Sequence, residues 1–168
     1  ISLAMGRYPE GITGLQLDTA ARYQMWLEGY DFGHGTGHGV GANLGVHEGP
    51  HQIRKNMTPG TLLPFRAGMI VSNEPGIYVA GQFGVRLENL LLTLPAEETP
   101  FGRFFRFETL TLCPFDLRPV YLDQLSAAEV TWLNDYHAMV CDRLLPLLND
   151  EAEKRWLIEA TRKVEVRE

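Results

Sequence analysis

Eight of the chain's 17 glycines fall between residues 29 and 49, a stretch that also holds three of its five histidines. Glycine at that density excludes a stable helix, because each one costs roughly 1 kcal/mol against alanine in a helix interior. Such a run is either flexible or is backbone brought very close to something else. His34, His38 and His47 lie in apolar, glycine-rich surroundings that do not read as solvated surface. If 33–39 is extended, His34 and His38 share a face, since residues two or four apart in a strand point the same way.

The flanking segments carry conventional signals. Thr13 and Gln16 form a capping box, and Leu17, Ala20, Ala21 and Leu27 recur at helical spacing up to Gly29, so 14–28 is a helix. Before it, Ile1 to Arg7 resembles the last turns of a helix, and the chain reads as an excised domain. From 69 to 93 the runs Met69–Asn73 and Val85–Leu92 are β-prone and separated by Pro75-Gly76 and Gly81–Gly84 turn chemistry. Phe104 to Cys113 alternates as a further strand and stops at Pro114. A second capping box, Ser126 with Glu129, opens an apolar helical stripe at Val130, Leu133, Val140 and Leu144. Pro146 and Asn149-Asp150 end that helix, and a charged final helix carries Trp156, Leu157 and Ala160. Trp132, Tyr136 and Met139 give 127–145 more apolar surface than one face needs, which suits either packing on its own domain or a dimer interface. The expected product is a curved antiparallel sheet with helices against it.

Several chemistries are excluded. Lys and Arg total 15 against 21 for Asp and Glu, and a net charge of −6 argues against nucleic acid or an anionic membrane as the main partner. No apolar run approaches the ~18 residues of a membrane span. Cys113 and Cys141 form no CxxC pair and read as free thiols in a reducing compartment, which with the lack of a signal sequence points to the cytoplasm. His47-Glu-Gly-Pro-His51 has the letters of a helical zinc-protease motif, but Gly49 and Pro50 forbid the helix that would bring both imidazoles to one zinc. The alternating glycines from Gly33 to Gly41 never match a phosphate loop, and no G-x-S-x-G elbow supplies a serine nucleophile.

What remains is histidine with carboxylate on strand-like segments. Glu74 precedes Pro75-Gly76 where a strand ends, and Glu88 shares a face with Arg86. Singly, each has an ordinary account, a hydrogen-bonded core histidine or an ion-paired glutamate. Together they suit a divalent ion such as manganese or zinc.

Four blocks in order, His34-Gly-Thr-Gly-His38-Gly-Val-Gly, Val46-His47-Glu-Gly-Pro, Ser72-Asn-Glu74-Pro-Gly-Ile-Tyr78 and Gly84-Val-Arg-Leu-Glu88-Asn, resemble the aminopeptidase P and prolidase family, and most of all its cytosolic-type Xaa-Pro aminopeptidases. The tail from Pro119, with Trp132-Leu-Asn-Asp-Tyr-His137, resembles their C-terminal extension. The resemblance implies an α+β pita-bread fold, with 1–118 the C-terminal portion of the catalytic domain and 119–168 a helical extension packed on it. It implies two divalent metal ions, most of all Mn2+, with Zn2+ or Co2+ as alternatives. His38 and Glu74 would be ligands of one metal and Glu88 a carboxylate bridging both. His47 would hold the scissile carbonyl, His34 would assist proton transfer, and Tyr78 and Arg86 would orient these groups. The substrates implied are peptides with proline at the second position, cleaved by a metal-activated water with Glu74 as proton acceptor. The full-length protein would be a homodimer.

The family also uses two aspartates from an upstream hairpin and a further histidine. Asp18 and Asp31 fall on the first helix and the loop after it, so the fragment alone is expected to be inactive, with its metals not fully bound. Two other readings stay open: an Xaa-Pro dipeptidase, for which no determinant of a C-terminal carboxylate is identified, and a non-catalytic peptide- or protein-binding module of the same fold. Retention of His38, Glu74 and Glu88 favours a catalytic parent.

Overall fold

A four-stranded antiparallel sheet organises the first two-thirds of the chain in a computed structural model, which describes residues 1–43 and 45–165. Its strands are β1 (Arg7–Pro9), β4 (Ile70–Asn73), β7 (Asn89–Thr99) and β8 (Gly102–Thr109), in the order β1-β8-β7-β4. Two short antiparallel ribbons accompany it, β2 (Gly37–His38) with β3 (Gln52–Ile53), and β5 (Gly76–Val79) with β6 (Phe83–Arg86). The helices of this part are the single turn α1 (Ser2–Met5), α2 (Gly14–Leu27) and the turn α3 (Pro59–Leu62).

Helix α2 begins where the sequence predicts it: Gln16 Oε1 accepts the Thr13 backbone N–H at 2.9 Å. It ends at Leu27, and Gly29 turns the chain away with φ +76°, a conformation that glycine adopts without steric cost. Leu17 on its inner face is fully buried, as are Ile53, Val71 and Leu91 on the strands.

The β-prone run Val85–Leu92 is two strands rather than one. Pairing in the β5–β6 ribbon ends at Arg86, and β7 starts at Asn89 opposite Asn73. Glu88 therefore lies in the break between strands, and Glu74 lies just past β4, so neither is on a strand as expected. β8 stops at Thr109 rather than running to Cys113, two residues short of the position that would face the start of β7 at Asn89. One more bond, Leu110 N–H to the Leu90 carbonyl at 2.8 Å, closes the ladder.

The chain divides into two compact units, Ile1–Thr111 and Leu112–Glu168. The division precedes the expected one at 118/119, because Leu112 and Phe115 pack with Tyr136, Val140 and Leu157 of the second unit. That unit holds α4 (Ala127–Leu144), a 3₁₀ turn over Leu145–Leu147, and α5 (Glu151–Ala160). The Ser126–Glu129 box forms, with the Ser126 N–H on Glu129 Oε2 at 2.9 Å and the Glu129 N–H on Ser126 Oγ at 3.3 Å. Asp150 caps α5 by accepting from Ala152 and Glu153. Tyr136 is buried, Trp132 stacks on it at 5.5 Å, and Met139 packs in the same cluster, so these residues fill their own unit's core. No helix among the described residues is long and apolar enough to cross a membrane.

Candidate metal and catalytic site

The glycine run is close backbone. Residues 36–39 lie antiparallel to 71–74: Gly39 bridges Val71, the His38 N–H donates to Ser72 Oγ at 3.0 Å, and the Glu74 N–H donates to the Thr36 carbonyl at 2.8 Å. A Cβ on Gly37 would stand 1.9 Å from the Ser72 carbonyl oxygen, so only glycine permits this approach. The pairing sets His38 against Glu74, with Nε2 3.1 Å from Oε1. Ser72 Oγ donates to the same Glu74 oxygen at 3.0 Å. Ser72 is fully buried and joins the two, a role the sequence reading missed although Ser72 and Glu74 are two residues apart at a strand end.

His34 reaches the site differently. Only Gly37 and His38 of the run form a strand, and His34 sits in a bend, so the shared strand face expected over 33–39 is absent. Its Nδ1 donates to the Gly35 carbonyl at 2.7 Å, which leaves Nε2 to accept the Tyr78 hydroxyl at 2.9 Å. Arg86 Nη1 donates to the Tyr78 oxygen at 3.4 Å. The same guanidinium reaches both carboxylates, with Nε 3.3 Å from Glu88 Oε2 and 4.0 Å from Glu74 Oε2. The Tyr78 hydroxyl, with Glu88 behind it, holds the Arg86 guanidinium above its ordinary value.

His47 packs edge-on against His38, ring centroids 4.4 Å apart. His51 is buried against the Phe65 ring and its Nε2 donates to the Ile70 carbonyl at 2.7 Å. Residues 47–51 are not helical, so His47 and His51 form no zinc-protease pair. Asp18 and Asp31 are committed elsewhere, Asp18 to Arg22 and Asp31 to Arg22 and Lys55. The Lys55 ammonium, first among its partners, holds Asp31 well below the usual carboxylate range.

Of the three expected ligands, His38 and Glu74 meet directly, and Glu88 joins them through Arg86. Among the described residues, no three His, Cys, Asp or Glu side chains gather as a group able to hold a metal ion. The donors present nevertheless suit one. His38 Nδ1 lies 2.9 Å from the Gly39 carbonyl, which can only accept, so Nδ1 carries the proton. Nε2 then faces a carboxylate oxygen. That arrangement is favourable only with a proton or a cation between them. A backbone carbonyl fixing the far nitrogen is also how metal-binding histidines are commonly oriented.

Comparison with known proteins adds to this geometry. Residues 3–94 match the model of metallopeptidase family M24, and residues 103–164 match the C-terminal region of peptidase M24. The chain is 43% identical to "Aminopeptidase P1" of Arabidopsis thaliana over 99% of its own length and 26% of that protein's. Its fold superposes with a TM-score of 0.88, at 38% identity, on an X-prolyl aminopeptidase from Caenorhabditis elegans described as a cytosolic enzyme with a di-nuclear active site. That match covers 97% of this chain and 27% of that one. An Xaa-Pro dipeptidase from Bacillus anthracis gives 0.52 at 32% identity, over 68% of this chain and 28% of its own. The chain thus spans about a quarter of the length of the relatives it matches.

Proposed function

The chain belongs to metallopeptidase family M24, and from that membership we propose that it supplies the C-terminal part of the catalytic domain of an Xaa-Pro aminopeptidase. The reaction is hydrolysis of the bond between the first residue and a proline in second position. In this reading His38 and Glu74 would hold one of two divalent ions, manganese in the first instance, and Glu88 would be a ligand shared between them. When bound, such ions lower the pKa of a water and polarise the peptide carbonyl. Glu74 accepts the proton of the attacking water and delivers it to the leaving proline nitrogen. Ser72 fixes one Glu74 oxygen, and Arg86 faces the other. His47 holds the substrate carbonyl. His34, its Nε2 committed to the Tyr78 hydroxyl, assists proton transfer.

The observation that carries this reading is the His38–Glu74 pair, built by two antiparallel backbones with Nε2 3.1 Å from Oε1. Similarity along nearly the whole chain to an aminopeptidase, against 68% for the dipeptidase, supports the aminopeptidase over the Xaa-Pro dipeptidase. With Asp18 and Asp31 engaged elsewhere, the 168 residues alone lack ligands and are expected to be inactive. Manganese-dependent peptidase activity from the isolated chain would overturn that expectation.

The test is an Xaa-Pro-Xaa tripeptide incubated with manganese and the full-length protein. Release of the first residue, abolished by Glu74→Gln, supports the proposal. No release despite bound metal would favour a dipeptidase or a peptide-binding relative without chemistry. The same reading makes the full-length protein a cytoplasmic homodimer, and a monomeric mass in sedimentation would remove the dimer.

A further inference from the structure

Arg22 is fully buried on α2, and its guanidinium is spent on the segment that carries His34. Nε donates to Asp18 Oδ2 at 2.6 Å, Nη1 to Asp31 Oδ1 and the Phe32 carbonyl at 2.6 Å each, and Nη2 to the His34 carbonyl at 2.8 Å. The guanidinium also lies 3.6 Å over the Phe32 ring, which contacts the His34 ring at 4.9 Å between centroids. Asp18, buried beside it, accepts the Thr36 hydroxyl at 2.5 Å. The residues on both sides of His34, and His34 itself, are therefore tied to one helix by a single charged network.

Stability alone does not account for this arrangement. A buried ion pair recovers little beyond its own desolvation, and apolar side chains of similar volume would hold α2 as well. What a planar five-donor fork adds is position, because it can satisfy two carboxylates and two carbonyls in only one arrangement. Glycines flank His34 at 33 and 35, so side-chain sterics do little to restrict the backbone of the bend. We propose that the Asp18–Arg22 pair is a positioning device for His34, holding its backbone so that the ring keeps Nδ1 on the Gly35 carbonyl and Nε2 on Tyr78. Its catalytic consequence rests on the peptidase reading above.

The experiment uses the full-length protein. Arg22→Lys keeps the charge, but one ammonium cannot span all four acceptors. Loss of a comparable orienting partner costs about 10- to 100-fold, and that loss is expected in kcat on an Xaa-Pro-Xaa peptide, with KM little changed. In a His34→Ala background the same substitution is expected to cost under about twofold, because residues acting through one another are not additive. Equal losses in the two backgrounds would overturn the proposal. If Arg22→Lys does not fold, Thr36→Val removes only the hydroxyl bond to Asp18 and is expected to show a smaller loss with the same dependence on His34. A readout independent of activity is the 15N spectrum of histidine-labelled protein, in which His34 is the Nδ1–H tautomer. Arg22→Lys is expected to mix the tautomers, and an unchanged His34 signal would overturn the positioning role. If the unsubstituted protein cleaves no Xaa-Pro peptide, the peptidase reading fails while this spectrum still decides the role of Arg22.

Discussion

Replacing Ser72 by alanine tests whether His38 and Glu74 are held together by a built-in link. The hydroxyl accepts from the His38 N–H at 3.0 Å and donates to Glu74 Oε1 at 3.0 Å, inside a residue with no solvent exposure. A neutral backbone donor contributes about 0.5–1.5 kcal/mol, and a hydrogen bond to a charged group about 1.5–3 kcal/mol. Glu74 retains some solvent access, which places its bond at the lower end. The expected loss is therefore about 2–3 kcal/mol, read as a lowered urea midpoint at unchanged m-value. Thr93 on the neighbouring strand β7 is the internal contrast. Its hydroxyl is buried and has no hydrogen-bond partner among the described residues. Thr93→Val removes an unsatisfied group of the same shape, and is expected to be neutral or to stabilise by about 1 kcal/mol. A Ser72→Ala loss under about 1 kcal/mol, or a Thr93→Val loss as large as that of Ser72→Ala, would refute the reasoning, because the link would then count for no more than generic polar burial.

Two further outcomes follow from packing and burial. Gly37→Ala forces a methyl against the Ser72 carbonyl, 1.9 Å from its ideal position, and is expected to destabilise by about 2–3 kcal/mol and to weaken metal retention in the full-length protein, checked by urea unfolding and by metal analysis after dialysis. His137 is fully buried, with Nε2 accepting the Phe115 N–H at 3.1 Å, and burial holds its pKa below the ordinary value. The unfolded chain then binds this proton first, so stability is present above the unfolded pKa of about 6.5 and falls as the pH drops below it, by up to about 1.4 kcal/mol per pH unit. Urea midpoints measured between neutral and mildly acidic pH should show that slope, and His137→Gln should flatten it. A slope unaffected by the substitution would place the acid sensitivity elsewhere.

Helix starts were legible because their chemistry is local. Thr13 with Gln16 and Ser126 with Glu129 each satisfy a backbone donor within one turn, and both helices begin there. The His38–Glu74 encounter was legible only as family likeness, since it depends on residues 36–39 pairing with 71–74 across more than 30 positions. No pattern within either segment states that register. The strand break at Leu87–Glu88 was hidden for a related reason. Apolar and β-prone residues continue through it, and what interrupts the pairing is the change of partner from β5 to β4. Arg22 was hidden most fully. On a helix carrying Asp18 four residues earlier it reads as an exposed i, i+4 pair, and only the folded loop shows both charges buried beneath His34.

Arg86 explains how this cluster keeps its arrangement. Glu74 and Glu88 carry like charges, and carboxylates drawn to one place repel unless a cation lies near both. Arg86 supplies that cation from β6, and the ribbon's register decides where it points. Tyr78 pairs with Gly84, so Arg86, two residues further on, is its diagonal neighbour on the same face, within reach of the tyrosine hydroxyl. Gly84, opposite the ring, leaves room for the tyrosine to lean across. One guanidinium thus connects Glu88, Glu74 and, through Tyr78, His34, while Ser72 connects Glu74 to His38. Five of the seven residues singled out from sequence are joined to Arg86 in this way, and His47 packs on one of them. The network is oriented by backbone and by one guanidinium that lies near both carboxylates.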